Sequence, residues 1–109
     1  MKLEIVTSGP FKIVKVTGRI DTTNAVEFEQ SVAGLIDEGC NKLILNCAGL
    51  NYISSSGLRV FLVIQKKLAG LQGTFRLCCL QPEIREIFDI SGFSTIFSIF
   101  PDEEAALAG

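Results

Sequence analysis

The chain has 109 residues, 48% of them hydrophobic, and a formal net charge of −2 at pH 7. That is enough apolar material for one domain, residues 1–109, with its own core, and it excludes a disordered polymer. The balanced charge gives no electrostatic drive towards direct nucleic-acid binding or an anionic membrane, and no apolar stretch approaches the ~18 residues of a membrane span.

The opening, MKLEIVTSGP, has one early lysine and no apolar run of signal-peptide length, which predicts a soluble cytoplasmic protein with no membrane insertion. Lys2–Val6 alternates polar and apolar residues and reads as a half-buried strand. Ser8-Gly9-Pro10 is a turn signal, and β-branched Phe11–Thr17 then reads as a second strand, paired with the first as a hairpin.

Asp21-Thr22-Thr23-Asn24 offers four residues able to cap a helix. Asn24 followed by Glu27 resembles a capping box, and Asp21 fits the cap position equally well. Ala25, Phe28, Val32, Leu35 and Ile36 recur at helical spacing, and Gly39 closes that helix. Lys42–Cys47 is a strand whose continuous apolar stretch implies burial on both faces. Ala48–Ile53 reads as a loop leading to the next helix.

The central segment is Asn51–Ala69, NYISSSGLRVFLVIQKKLA. Ser54, Ser55 and Ser56 precede Gly57 and a dense apolar run, Leu58 to Ile64, with Leu58, Phe61, Leu62 and Ile64 expected in the core. The serines form the approach to this helix, which should start near Ser55 or Ser56. Ser56 is the expected capper, and Ser54 lies further into the loop. The first turn of a helix carries partial positive charge and tolerates an anion there. Lys66 and Lys67 read as its solvated face.

Thr74–Leu80 reads as the next strand, Pro82 and Glu83 open a helix, Ser94–Phe100 reads as a last strand, and Pro101-Asp102-Glu103-Glu104 opens a short terminal helix. The order β-β-α-β-α-β-α-β-α specifies an α/β domain: a mixed sheet of four to five strands with helices packed against it.

Enzymatic chemistry finds little support. There is no histidine to activate a serine, SSSG is not G-x-S-x-G, and the P-loop pattern is absent. Cys40, Cys47, Cys78 and Cys79 form no C-x-x-C pair, which argues against a metal site. They read as small hydrophobes, with Cys78 and Cys79 on opposite faces of a strand. The expectation is a non-enzymatic interaction domain with no catalytic residues, cofactor or metal, presenting a serine-rich helix start.

Three stretches carry a family resemblance: Phe11–Asp21 ending GRID, then LNCAGLNYISSSGLRVFL, then PEIREIFDISGF. Together and in this order they resemble the STAS domain, and the compact length is similar to the stand-alone anti-sigma factor antagonists rather than the transporter-attached versions. The resemblance implies a partner-switching circuit. An unphosphorylated antagonist binds an anti-sigma factor that is also a serine kinase, is released when phosphorylated, and is reset by a serine phosphatase. Aligned on Gly57, the family's D-S-[ST]-G motif places the acceptor at Ser55 and the [ST] at Ser56. Ser54 stands where the family has an aspartate, a departure that bears on how a kinase or phosphatase reads the site. Asp21 matches the acidic residue that lies near the acceptor in the family, with helix capping as its other reading. Arg59 follows closely, either contacting a partner or phosphate or solvated in the first turn. The implied partner-binding set is Asp21, Ser54, Ser55, Ser56, Gly57 and Arg59.

Two other functions compete. One is a non-phosphorylated STAS subunit that docks on and stabilises a transport ATPase. The other is nucleotide binding by the domain itself, for which no Gly-rich basic segment exists.

Overall fold

In the computed structural model, which describes residues 1–109, the chain runs β1 (Lys2–Ser8), β2 (Phe11–Ile20), α1 (Ala25–Asp37), β3 (Lys42–Ile53), α2 (Ser55–Gly70), β4 (Thr74–Cys78), α3 (Pro82–Ile90), a 3-10 turn (Phe93–Thr95), β5 (Ser98–Phe100) and α4 (Glu103–Ala108). The five strands lie side by side in sequence order. β1 and β2 form an antiparallel hairpin, and β2 to β5 are parallel. This is the mixed α/β architecture expected, at the upper end of the strand count.

Strand order places the helices. Successive parallel strands step across the sheet in one direction, and their crossovers are right-handed, so α1, α2 and α3 fall on one face. That face carries the main core, built from Val14, Val16, Leu43, Leu45 and Cys47 of the sheet with Phe28, Phe61 and Phe88 of the helices. Phe61 links the rings of the helices, with centroids 5.8 Å from Phe28, 5.9 Å from Phe88 and 6.3 Å from Phe97. The other face has a smaller core of Phe11, Ile13, Ile44 and Cys78, covered by Ala106 of α4. Leu43, Ile44 and Leu45 are fully buried, because β3 is the central strand and both its faces are covered. Phe61 and Ile64 are buried as expected, while Leu58 and Leu62 pack against the core partly exposed.

Several local expectations are corrected. Residues 48–53 are strand, not loop: the β2–β3 ladder continues, with register shifts, to Ile20 opposite Ile53. Leu50 and Ile53 are buried there, although their spacing breaks simple alternation. β1 is mostly exposed rather than half-buried, because it is the sheet edge with no helix over it, and Ile5 stands 48% exposed. The Ser94–Phe100 segment opens with the 3-10 turn and is strand only from Ser98; Gly92, at φ +80°, starts the turn, and Phe97 is buried in the aromatic cluster. β4 stops at Cys78, since Cys79 adopts a left-handed φ of +63°. That break in alternation puts Cys79 against the same small core as Cys78, not on the opposite face.

Candidate functional site

The serine triplet is delivered by the ends of two parallel strands. Ile20 and Ile53 lie opposite each other in the ladder, and the next N–H, that of Ser54, donates to the Ile20 carbonyl at 2.9 Å. The chain then turns directly into α2. Ser54 is extended (φ −85°, ψ 172°), and its hydroxyl accepts the Gly57 N–H at 3.2 Å. Ser54 is therefore the cap, not Ser56. The helix begins two residues earlier than a Ser56 cap requires, because β3 runs on to Ile53 and leaves no loop residues to spare.

Gly57 is buried directly on the two isoleucines. A Cβ there would come within 2.7 Å of Ile53 Cγ1 and 2.8 Å of Ile20 Cγ2, so the position demands the absence of a side chain. The consequence is placement: Ser55 and Ser56 are held at the first turn, where N–H groups lack intrahelical acceptors and partial positive charge accumulates. Ser55 is exposed and its hydroxyl has no partner within the chain, whereas Ser56 is half-buried in a groove between α1 and α2 beside Thr22, Val26 and Arg59.

Asp21 directly follows Ile20, so the hydrogen bond from Ser54 brings it to the same end of the sheet. Its carboxylate accepts the Thr23 N–H at 2.9 Å and the Thr23 hydroxyl at 2.5 Å, and lies 3.8 Å from Arg19. The Thr23 hydroxyl first, then the Thr23 N–H and the Arg19 guanidinium, hold the carboxyl below its ordinary value. Neither capping expectation for α1 is met by a side chain. Asn24 occupies the cap position, but its amide accepts the Asp21 N–H at 2.9 Å and donates to the Arg19 carbonyl at 2.9 Å. Both side chains thus rigidify the β2–α1 turn next to the serines.

The residues predicted for the site, Asp21, Ser54, Ser55, Ser56, Gly57 and Arg59, all belong to this one end of the sheet and the first turns of α2. Sequence reasoning missed the stack of Arg19 on Tyr52, whose ring centroid lies 4.2 Å from the guanidinium carbon. The two residues are opposite each other in the ladder, which reading Tyr52 as loop concealed. It also missed Thr22, Val26 and Glu29 as neighbours of Ser56. The groove, about 260 Å³, lies below the ~300–1,000 Å³ of small-molecule sites and is of a size to take protein side chains.

The STAS domain family model matches residues 2–106. The chain belongs to the STAS domain family. BtrV of Bordetella bronchiseptica, named as a candidate anti-sigma factor antagonist, is 40% identical over 108 residues, a match covering 99% of this chain and 93% of BtrV. Among solved structures, an anti-sigma factor antagonist from Mycobacterium paratuberculosis superposes with a TM-score of 0.90 at 21% identity, covering 98% of this chain and 91% of that one. The Bacillus cell fate determinant SpoIIAA in its phosphorylated form superposes with a TM-score of 0.73 at 20% identity, covering 96% of each chain. These two likenesses establish the STAS fold. Within the STAS domain of this chain, no helix is long and apolar enough to cross a membrane.

Proposed function

We propose that this STAS domain is a cytoplasmic anti-sigma factor antagonist that works by partner switching. Unphosphorylated, it binds an anti-sigma factor that is a serine kinase; phosphorylated on Ser55, it is released; a serine phosphatase returns it to the binding form. It acts by binding and carries no catalytic residue of its own. The name of BtrV supports the antagonist role.

The observation that carries the choice of Ser55 is the division of labour among the serines. Ser54 spends its hydroxyl on the cap, Ser56 is half-buried in the groove, and Ser55 is exposed with a free hydroxyl. In the transfer, the Ser55 oxygen attacks the γ-phosphoryl of kinase-bound ATP, ADP leaves, and the hydroxyl proton passes to a base of the kinase. The added group carries roughly −1.5 to −2 charge at pH 7. At the first turn of α2 the fold accommodates it, but a packed interface must desolvate and fit it. A loss of about 2.8 kcal/mol weakens binding 100-fold.

Incubation with the cognate kinase and ATP, followed by tandem mass spectrometry, tests the assignment. Phosphate confined to Ser54 or Ser56 refutes it. No phosphate on any of the three, with a kinase shown to be active, favours a subunit docked on a transport ATPase, and copurification with a membrane complex would then follow.

A further inference from the structure

Arg59 stands alone in a chain whose other arginines are engaged. Arg19 pairs with Asp21 and stacks on Tyr52, Arg85 pairs with Asp89 at 3.1 Å, and Arg76 donates to the Ala106 and Gly109 carbonyls at 2.7 and 2.8 Å. Arg59 is exposed and has no ion pair, side-chain hydrogen bond or aromatic ring beneath it. It lines the α1–α2 groove with Ser56, and Glu29 on the opposite wall does not pair with it.

Its position on the helix is specific. Arg59 is four residues after Ser55 in α2, and residues so spaced share a face with Cβ atoms about 5–6 Å apart. Cα–Cβ bonds tilt towards the helix N-terminus, and long side chains follow them, so the guanidinium leans back over the first turn. A planar fork of donors matches the oxygens of a phosphate dianion in bidentate geometry, and no carboxylate of the chain occupies it.

We propose that Arg59 is the intramolecular receptor for a phosphate on Ser55. This rests on the phosphorylation reading above and deepens it. The modification then changes the surface twice: it adds an anion at Ser55 and withdraws the one free guanidinium of this face from the partner. The unmodified protein offers Arg59 to the kinase's acidic groups, and the modified protein folds it onto its own phosphate. A phosphatase must part that ion pair before hydrolysis.

Phosphoserine installed at position 55 during translation makes the test independent of any kinase. Titration by phosphorus NMR of this protein and of its Arg59→Gln and Arg59→Lys forms reads the second ionisation of the phosphate. A neighbouring cation favours the dianion, so the pKa is expected lower with arginine than in R59Q by about 0.3 unit, roughly two-fold in the ionisation constant. R59K should fall between, and the difference should shrink at high salt. Circular dichroism of R59Q should be unchanged, since the side chain is exposed. Superimposable titrations of all three proteins overturn the role of Arg59. Absence of phosphate on Ser55 after treatment with an active kinase overturns instead the reading beneath it, whatever the titrations show.

Discussion

Gly57 lies so close to Ile20 that a single added carbon would sit 2.8 Å from the isoleucine Cγ2. Ile20 is fully buried and cannot swing away. Gly57→Ala should therefore lift the start of α2 off the sheet. The better helix propensity of alanine offsets part of the clash, leaving a net destabilisation of about 1–2 kcal/mol. Urea denaturation measures it. An unchanged midpoint would show that the first turn of α2 can slide.

Phe61→Ala should cost roughly 3–5 kcal/mol, because the ring is fully buried among Phe28, Phe88 and Phe97. An unaltered denaturation midpoint would contradict its place in the core.

The apolar periodicities of α1, α2 and α3 were readable because one-sided burial imposes a helical repeat, and the triple run Leu43–Leu45 marked the central strand. The second half of β3 was not readable. Gly49 packs against the β2 backbone, its absent Cβ lying 3.0 Å from the Val16 carbonyl oxygen, so this stretch pairs through bulges that disrupt a two-residue period. The helix start was legible as SSSG, yet which serine caps it depends on where β3 ends. That is decided by the long-range bond from Ser54 to Ile20, not by local spacing.

Ser54→Ala removes the acceptor for the Gly57 N–H and should cost about 1 kcal/mol. Ser54→Asp keeps an acceptor and adds a carboxylate at the helix start, worth ~0.3–1 kcal/mol of stabilisation at low salt. The same charge beside Ser55 opposes a second anion, so S54D should be more stable than the parent yet bind a Ser55 phosphate in a less favourable field. Thermal denaturation of phosphorylated and unphosphorylated forms reads both effects. A larger gain from phosphorylation in S54D than in the parent would contradict the electrostatic account.

Ser55→Ala should still bind the kinase but no longer be released by ATP, giving a permanently active antagonist. Ser55→Asp should bind more weakly than the parent, although one carboxylate carries less charge than a phosphate. Pull-down with and without ATP measures both. Release of S55A by ATP would place the switch elsewhere.

The Asp21 carboxyl is held below its ordinary value of 3.8 by its Thr23 bonds, with Arg19 adding to them. A depressed folded-state pKa means that its stabilisation is present above the unfolded value and is lost as pH falls through the folded one. Acid titration of stability should therefore be shallower below pH 3.8 in Asp21→Asn than in the parent. Identical slopes would show that the turn contributes nothing to acid sensitivity.

The buried thiols make the domain its own stopwatch. Burial pushes the Cys47 thiol up to about 12, and Cys47 and Cys78 have no accessible surface. An alkylating reagent can reach neither while the sheet is intact, because both are fully buried, Cys47 in β3 and Cys78 at the end of β4, and thiolate is the reacting form. Cys47 lies in β3, so its labelling should keep time with opening of the whole domain. Cys79, partly exposed past the end of β4, should react on the faster clock of local fluctuation. Comparing the two labelling rates in one tube would separate global unfolding from fraying at the small core under α4 without any engineered residue.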